Sequence, residues 1–205
     1  MQDAASLAEY LRHEIRDERV LEAIAAVPRA RFVPKAYRRH AYEDVALPIW
    51  CGQTISQPTV IARMLALLEL SPSDRVLDVG TGSGYHAALL ARLTAHVWTI
   101  ERHEKLSARA RAAAVELAIE NVTFVVGDGA EGLAEEAPFD VINVAAAVGA
   151  AVPGPLLRQL GLSGRLVAPV GDTDQRLLRG RRTSLGIRGE LLDPVRFVPL
   201  IRDRR

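Results

Sequence analysis

Apolar residues recur at helical spacing near the start of the chain. Residues 3–13 and residues 17–27 carry apolar side chains three or four positions apart, and this pattern predicts two amphipathic helices. Asp17 stands where the second helix needs an N-cap, and Pro28 stands where that helix must end. The chain therefore begins with a helical pair.

The next segment has no regular period. Residues 29–57 are interrupted by prolines, yet they keep many apolar side chains. A loop of this length in a compact chain is usually functional or disordered, and its apolar content favours a packed, functional loop. Pro58 then suits the first turn of a third helix, which we predict to run through Leu70.

From residue 75 onward, short apolar runs alternate with helical segments. The pattern predicts strands over 75–79, 96–101, 122–126, 139–145 and 165–170, and helices over 84–93, 104–119 and about 155–160. Such βαβα alternation is typical of an α/β fold with a doubly wound, mostly parallel sheet.

The end of the chain has a different pattern. Residues 176–187 and 190–200 alternate loosely, with apparent breaks at 179–182 and 186–189, and they predict a C-terminal antiparallel β extension. We expect a single domain over 1–205. It divides into N-terminal helices and a loop over 1–57, an α/β core over 58–171 and the β extension over 172–205.

Composition narrows the class of protein. The chain has 205 residues, of which 49% are hydrophobic, and its formal net charge is +1. A globular protein is expected, and the charge gives no electrostatic reason to expect nucleic acid or a membrane surface as a partner. Cys51 is the single cysteine, so an internal disulfide is excluded and no metal site is expected. The charged N-terminus lacks a signal-peptide pattern, so a cytoplasmic setting is the default, and a monomer is the default oligomeric state.

The most informative motif is RVLDVGTGSG at 75–84. Its glycines at 80, 82 and 84 follow a predicted strand and precede a predicted helix, and Glu101 ends the next strand. Glycine lets the backbone turn tightly and lets a ligand lie against it. An acid at about this distance from such a loop commonly binds ribose hydroxyls in open α/β folds.

The glycine spacing is G-x-G-x-G rather than the dinucleotide pattern G-x-G-x-x-G. Tyr85 stands near the position that would approach a pyrophosphate, which favours a nucleoside without phosphates, with S-adenosylmethionine as the leading candidate. A dehydrogenase is disfavoured for the same reason. The alternative is a glycine-rich turn that only connects a strand to a helix.

The predicted topology also brings several candidate residues together. Asp78–Gly84, Glu101, Asp128–Gly129 and Ala145–Ala147 all fall at the carboxyl ends of predicted strands. Because ligands of open α/β sheets bind beyond these ends, we expect one shared crevice.

Several segments carry a more specific resemblance. QTISQP at 53–58 precedes the third helix, LDVGTGSGY spans 77–85, GDG lies at 127–129 and VRFVPL at 195–200. Together with the surrounding sequence from about Val20 to Ile201, they resemble the protein-L-isoaspartate O-methyltransferases.

The resemblance implies a Rossmann-like methyltransferase fold, S-adenosylmethionine as methyl donor and the α-carboxylate of L-isoaspartyl residues in proteins and peptides as acceptor. It implies that Ser56 is the active-site residue and that Thr54, Ile55 and Gln57 lie beside the donor and the peptide. It assigns cofactor binding to Asp78, Gly80, Thr81, Gly82, Ser83, Gly84, Glu101, Asp128 and Gly129.

Several of these residues also have a purely structural interpretation. Ser56 could cap the helix that begins at Pro58, and Asp128 could form an Asx turn between two glycines. Asp78 could order the glycine loop by accepting hydrogen bonds from its backbone N–H groups.

The chain departs from the family pattern at Trp50, where relatives usually carry glycine, and in the loop Ala145–Ala150, which lacks a proline. Both positions are expected to border the peptide channel. Two other functions therefore stay open: a methyltransferase of the same fold that acts on another modified peptide or on RNA, and a catalytically silent cofactor-binding scaffold. The charge and the 5% aromatic content disfavour RNA.

Overall fold

A mostly parallel sheet organises the computed structural model, which describes residues 1–202. Predictions made for residues 203–205 lie outside the described residues. A separate two-stranded ribbon consists of β1 (Leu47–Pro48) and β2 (Thr54–Ile55). The main sheet contains β3 (Arg75–Val79), β4 (His96–Glu101), β5 (Val122–Val126), β6 (Phe139–Val144), β7 (Leu160–Val170), β8 (Arg176–Thr183) and β9 (Gly186–Pro194).

The helices agree with the predicted positions, although several are shorter. They are α1 (Ala4–Leu11), α2 (Glu18–Ala26), α3 (Pro58–Leu67), α4 (Tyr85–Leu93), α5 (Glu104–Glu116) and α6 (Gly154–Gln159). The Asp17 carboxylate accepts a hydrogen bond from the Arg19 N–H at 3.0 Å, which confirms Asp17 as the N-cap of α2. Pro58 occupies the first turn of α3, where a missing N–H has no cost.

The strand order is β5-β4-β3-β6-β7-β8-β9. The pairs from β5 to β7 are parallel, and β8 and β9 add antiparallel strands at one edge, so the predicted fold class is confirmed. The chain first moves outward from β3 to β5 and then returns to the other side of β3. The order therefore reverses between β3 and β6, where open α/β sheets bind their ligands.

Both faces of the sheet are buried. Val76, Val97 and Val141 belong to the core that includes α2, α3 and α4, whereas Leu77 and Ile142 belong to a second core against α6. Successive side chains of a strand point to opposite faces, so these cores share the same strands. Burial on both faces explains why the strands have near-continuous apolar sequences.

The segment 29–57 is more regular than the sequence pattern indicated. It contains short 3-10 turns at Arg29–Phe32, Lys35–His40 and Trp50–Gly52, and the β1–β2 ribbon. These elements are too short to give a detectable period, but their apolar residues join the main core. The prediction of a packed loop, made from the apolar content of 29–57, is confirmed.

The predicted break at 179–182 is wrong, because β8 runs through these residues. Arg179 and Arg181 both form ion pairs with Glu69, and Gly180 lies close to Leu166, so charge and glycine are accommodated within a regular strand. The predicted break at 186–189 is also wrong, because these residues begin β9, and the turn between β8 and β9 lies at 184–185. The predicted strands over 176–187 and 190–200 are corrected accordingly to Arg176–Thr183 and Gly186–Pro194.

Candidate functional site

A cleft opens at the carboxyl ends of β3, β4, β5 and β6. It encloses about 830 Å³ of unfilled space, part of it open to solvent. The predicted site residues that line it are Thr54, Ile55, Ser56, Gly80, Thr81, Gly82, Ser83, Glu101 and Gly129. Ala145 and Ala146 also line it, so the expected meeting of strand ends in one crevice is confirmed.

The glycine loop turns directly after β3. Gly80 and Gly82 have φ values of +93° and +53°, which lie in the left-handed region that favours glycine. The Gly80 N–H donates to the Ile100 carbonyl at 2.9 Å, which ties the loop to β4. A Cβ atom at Gly82 would come no closer than 3.8 Å to a neighbouring atom, so the space above the loop is open to a ligand.

Gly84 is required by helix packing rather than by space for a ligand. Its φ is +88°, and a Cβ atom there would lie 2.7 Å from the Cβ of Ala110 in α5. Gly84 is not among the residues that line the cleft. In this structure it lets α4 begin in close contact with α5.

Glu101 connects the glycine loop to the start of α5. One oxygen of its carboxylate accepts from the Gly82 N–H at 2.9 Å, and the other accepts from the His103 N–H at 3.0 Å. Glu101 is only 7% exposed and lines the cleft. Each carboxylate oxygen has a further lone pair, so ligand hydroxyls can be accepted as well.

Asp78 does not accept hydrogen bonds from the loop amides, which corrects the expectation from the sequence. Its carboxylate is fully buried and accepts from the Thr99 hydroxyl and the Asn143 amide, both at 2.7 Å. The Thr99 hydrogen is used in this way, so the Thr81 hydroxyl must be the donor in its 2.7 Å contact with Thr99. Asp78 thus reaches the loop through two hydroxyl groups, while Glu101 binds the loop amide.

A buried histidine completes this polar network and was not predicted as a site residue. His86, in the first turn of α4, lies 3.3 Å from the Asn143 amide nitrogen through its Nδ1 atom and lines the cleft. Burial lowers the pKa of His86 to about 4. Burial raises the pKa of Asp78 to about 6, although hydrogen bonds from Asn143 and Thr99 act in the opposite direction. His86 is therefore neutral at pH 7.

The segment 53–58 forms the opposite wall of the cleft. The Ser56 side chain is half-buried and lines the cleft, and no residue of 1–202 forms a hydrogen bond with its hydroxyl. Gln57 rather than Ser56 is the N-cap of α3, so the capping interpretation of Ser56 is wrong. The Asp44 carboxylate instead accepts from the Thr59 N–H at 2.8 Å and from the Gln57 side chain at 2.9 Å.

The remaining predicted residues lie near the cleft without lining it. Gln57 is held by Asp44, Asp78 is buried in β3 and Gly84 is the N-cap of α4. The Asp128 carboxylate accepts from the Ala130 N–H at 2.8 Å, which is the Asx turn that the sequence left open. This turn presents Gly129 at the cleft.

The segment that follows β9 supplies a wall that the sequence did not assign to the site. Val198–Ile201 line the cleft, and the Leu200 N–H donates to the Ala147 carbonyl at 2.7 Å. The Ala147 N–H in turn donates to the Val198 carbonyl at 2.8 Å. The signal available was the VRFVPL resemblance at 195–200. Its members at the cleft, Val198–Leu200, carry no polar side chain that would suggest a binding role.

The two departures from the family pattern have different surroundings. Ala145 and Ala146 line the cleft, and their position beside a peptide channel stays a prediction. Trp50 does not line it, because its ring lies against the Arg109 guanidinium of α5, 4.2 Å from the ring centroid. Trp50 therefore attaches the segment 29–57 to α5 rather than bordering the cleft.

Comparison with known proteins gives one consistent family. The sequence model described as "Protein-L-isoaspartate(D-aspartate) O-methyltransferase (PCMT)" matches residues 2–205. This chain belongs to that family. A protein-L-isoaspartate O-methyltransferase of Roseiflexus castenholzii is 55% identical over 93% of this chain and 88% of its own length. A family member of the same name from a Ruegeria species is 49% identical over 91% of this chain and 87% of its own length.

Solved structures of family members have the same fold. One protein-L-isoaspartate O-methyltransferase is 30% identical with a TM-score of 0.87, and the match covers 95% of this chain but 64% of that longer chain. A Plasmodium falciparum protein described as a putative family member, solved with S-adenosyl-L-homocysteine, is 26% identical with a TM-score of 0.84. That match covers 99% of this chain and 100% of the other.

Residues 1–202 contain neither a metal-binding cluster nor a membrane-spanning helix. No three histidine, cysteine or acidic residues in this part of the chain are grouped so that they could hold a metal ion. No helix formed by these residues has the length and apolar character needed to cross a bilayer.

Proposed function

We propose that the protein transfers a methyl group from S-adenosylmethionine to the α-carboxylate of L-isoaspartyl residues in damaged proteins, and so initiates their repair. The observation that carries this proposal is that Ser56, in the segment TISQP, lines the same cleft as the glycine loop. The family match over residues 2–205 supports the donor and the acceptor.

The residues of the cleft fit the methyl donor. The open space above Gly82 can accept a nucleoside, and the Glu101 carboxylate can accept hydrogen bonds from ribose hydroxyls. Ile100 and Leu200 line the cleft as apolar groups that can contact the adenine ring. When bound, S-adenosylmethionine supplies an electrophilic methyl group attached to a sulfonium sulfur.

The acceptor needs alignment rather than activation. A carboxylate with an ordinary pKa near 4 is already ionised at pH 7, so no general base is required. Ser56 donates a hydrogen bond that orients this carboxylate, and the walls of the cleft exclude competing water. Such positioning can contribute on the order of 7–11 kcal/mol to lowering a barrier.

Discrimination between the two isomers follows from their geometry. In an isoaspartyl residue the main chain passes through the side chain, which leaves the α-carboxylate free and one methylene closer to the backbone. A site that holds the neighbouring peptide backbone would misplace the longer carboxyl arm of an aspartyl residue by about an ångström. Misplacement of this size can cost on the order of 100-fold in rate.

The expected partners are isoaspartyl-containing proteins and peptides. We propose that the protein acts in the cytoplasm as a monomeric, single-domain enzyme without nucleic-acid or membrane partners. The single cysteine and the net charge of +1 are consistent with this setting. Size-exclusion chromatography with light scattering tests the monomer, and a mass of two chains would refute it.

The decisive experiment measures methyl transfer from labelled S-adenosylmethionine to matched isoaspartyl and aspartyl peptides. We expect turnover of the isoaspartyl peptide and at least about 100-fold less of its isomer. Calorimetry with S-adenosyl-L-homocysteine is measured in parallel.

Comparable rates on the two isomers would refute the proposal. Binding of S-adenosyl-L-homocysteine without transfer to several isoaspartyl peptides would also refute it. A subsequent test with other modified peptides and with RNA would then separate a different acceptor from a silent scaffold.

A further inference from the structure

Arg29 is a fully buried cation directly behind the wall of the cleft that the segment 53–58 forms. Its side chain is 0% exposed, and no carboxylate of residues 1–202 forms an ion pair with it. Burying a guanidinium that has no ion-pair partner is costly, and its hydrogen bonds and the charge of the nearby Asp44 carboxylate offset this cost. Burial lowers the pKa of Arg29 to about 10, so the group keeps its charge at neutral pH.

The guanidinium donates to three backbone carbonyls from two parts of the segment 29–57. It donates to the Ala41 carbonyl at 2.6 Å, to the Val45 carbonyl at 3.1 Å and to the Ser56 carbonyl at 3.0 Å. The planar group presents donors in fixed directions, which a lysine cannot reproduce. Arg29 therefore fixes the Ser56 main chain relative to the segment 41–45.

The same segment holds the residues that follow Ser56. Asp44 lies between Ala41 and Val45 in sequence, and its carboxylate accepts hydrogen bonds from Gln57 and from Thr59. The Ser56 carbonyl is thus held directly by Arg29, and the residues that follow Ser56 are held by Asp44. Its hydroxyl lies at the cleft with no hydrogen-bond partner among residues 1–202.

We propose that Arg29 is a positioning residue, which holds the Ser56 main chain so that the Ser56 hydroxyl meets the acceptor carboxylate. This inference rests on the proposed role of Ser56 in methyl transfer. Arg29 does not line the cleft, so it acts only through the loop.

The test is a double-mutant cycle of Arg29→Met and Ser56→Ala, assayed with an isoaspartyl peptide. We expect Arg29→Met to lower kcat at least 10-fold while the Kd of S-adenosyl-L-homocysteine changes less than about threefold. In the Ser56→Ala background the same change should lower kcat less than about threefold, because the hydroxyl it positions is absent. A 10-fold or larger further loss in that background would overturn the proposal.

Arg182→Met is the matched control. Arg182 also donates to three carbonyls, those of Leu157, Arg158 and Leu160, and none of these residues lines the cleft. Its loss should lower the melting temperature and leave kcat within twofold. An equal fall of kcat in Arg182→Met and Arg29→Met would show a general effect of instability and overturn the proposal.

Hydrogen exchange gives a second measurement that does not depend on methyl transfer. Hydrogen exchange of the backbone amides at 53–57 should be faster in Arg29→Met than in the wild type and unchanged in Arg182→Met, and equal exchange in all three would overturn the proposal. If Arg29→Met does not fold, Arg29→Lys replaces it with the same expectations. If the wild type does not methylate isoaspartyl peptides, the proposed function fails, and exchange at 53–57 still decides whether Arg29 positions the loop.

Discussion

Asp78 and Asn143 lie opposite each other on β3 and β6, and the Asn143 side-chain amide donates to the Asp78 carboxylate at 2.7 Å. The same amide nitrogen lies 3.3 Å from the Nδ1 atom of His86. One asparagine thus connects a buried acid whose pKa is raised to a buried histidine whose pKa is lowered. The two titrations have opposite effects on the free energy of unfolding.

The first prediction concerns pH. The contribution of Asp78 is fully present below its unfolded pKa of about 3.9 and is lost as the pH rises through about 6, where the buried carboxylate ionises. The contribution of His86 is fully present above about pH 6.5 and is lost as the pH falls through about 4. Each departure from the ordinary pKa changes the free energy of unfolding by about 3 kcal/mol over its full range. Because the two changes have opposite signs, they nearly cancel between pH 4 and 6.

Single variants should separate these contributions. Relative to wild type, Asp78→Asn should gain stability as the pH rises from 4 to 6.5, whereas His86→Gln should gain stability as the pH falls over the same range. Urea denaturation at several pH values measures both trends, with His13→Gln as an exposed control. Parallel trends in the two buried variants would contradict the opposed titrations.

Ser56→Ala should lower kcat by 10- to 100-fold, about 1.4–2.7 kcal/mol of barrier, because the hydroxyl only orients an acceptor that is already ionised. Stability should change by less than about 0.5 kcal/mol, since Ser56 does not cap α3. Steady-state kinetics and thermal melting check this, with Ser184→Ala as the exposed control. Wild-type turnover in folded Ser56→Ala would remove Ser56 from the reaction.

Glu101→Ala should weaken the binding of S-adenosyl-L-homocysteine by about 1.5–3 kcal/mol, the usual range for hydrogen bonds to a charged group. Two effects contribute, since the ribose loses an acceptor and the Gly82 N–H loses its partner. Isothermal calorimetry is the measurement, and the exposed neighbour Glu104 supplies the control Glu104→Ala. Unchanged affinity in a folded variant would show that Glu101 does not hold the ligand.

Gly84→Ala should destabilise the protein by about 2–5 kcal/mol. About 1–2 kcal/mol comes from the left-handed backbone and the rest from the 2.7 Å contact with the Ala110 Cβ. Urea denaturation of Gly84→Ala, Ala110→Gly and the double variant measures the coupling between the two sites. The double variant should recover the steric part only, and strictly additive effects would exclude the contact as the cause.

Local rules were sufficient for much of the fold. Asp17 and Pro58 mark helix starts by capping chemistry and by a fixed φ, which depend on a few neighbouring residues. The meeting of Gly80, Glu101 and Gly129 in one cleft follows from parallel strand direction alone. These features need no knowledge of which side chains touch.

The features that the sequence did not predict depend on contacts between distant segments. Asp78 was expected to bind the adjacent loop, but its partners lie on two neighbouring strands. The role of Arg29 depends on backbone carbonyls of residues 41, 45 and 56. Every residue has such a carbonyl, so the sequence does not indicate which ones Arg29 binds. The break at 179–182 was wrong because a cluster of charged residues around a glycine is typical of a turn. Their ion pairs with Glu69, which is distant in sequence, keep them within a strand.

The hydrogen bonds between Ala147 and the segment Val198–Leu200 join one wall of the cleft to the last described part of the chain. The opposite wall begins at Gln53, so the two sides of the pocket are far apart in sequence. Ligand occupancy should therefore report on folding of the whole chain, since neither half alone can build the cleft. A saturating ligand should raise the temperature at which both ends unfold together, and partially folded chains should bind none of it.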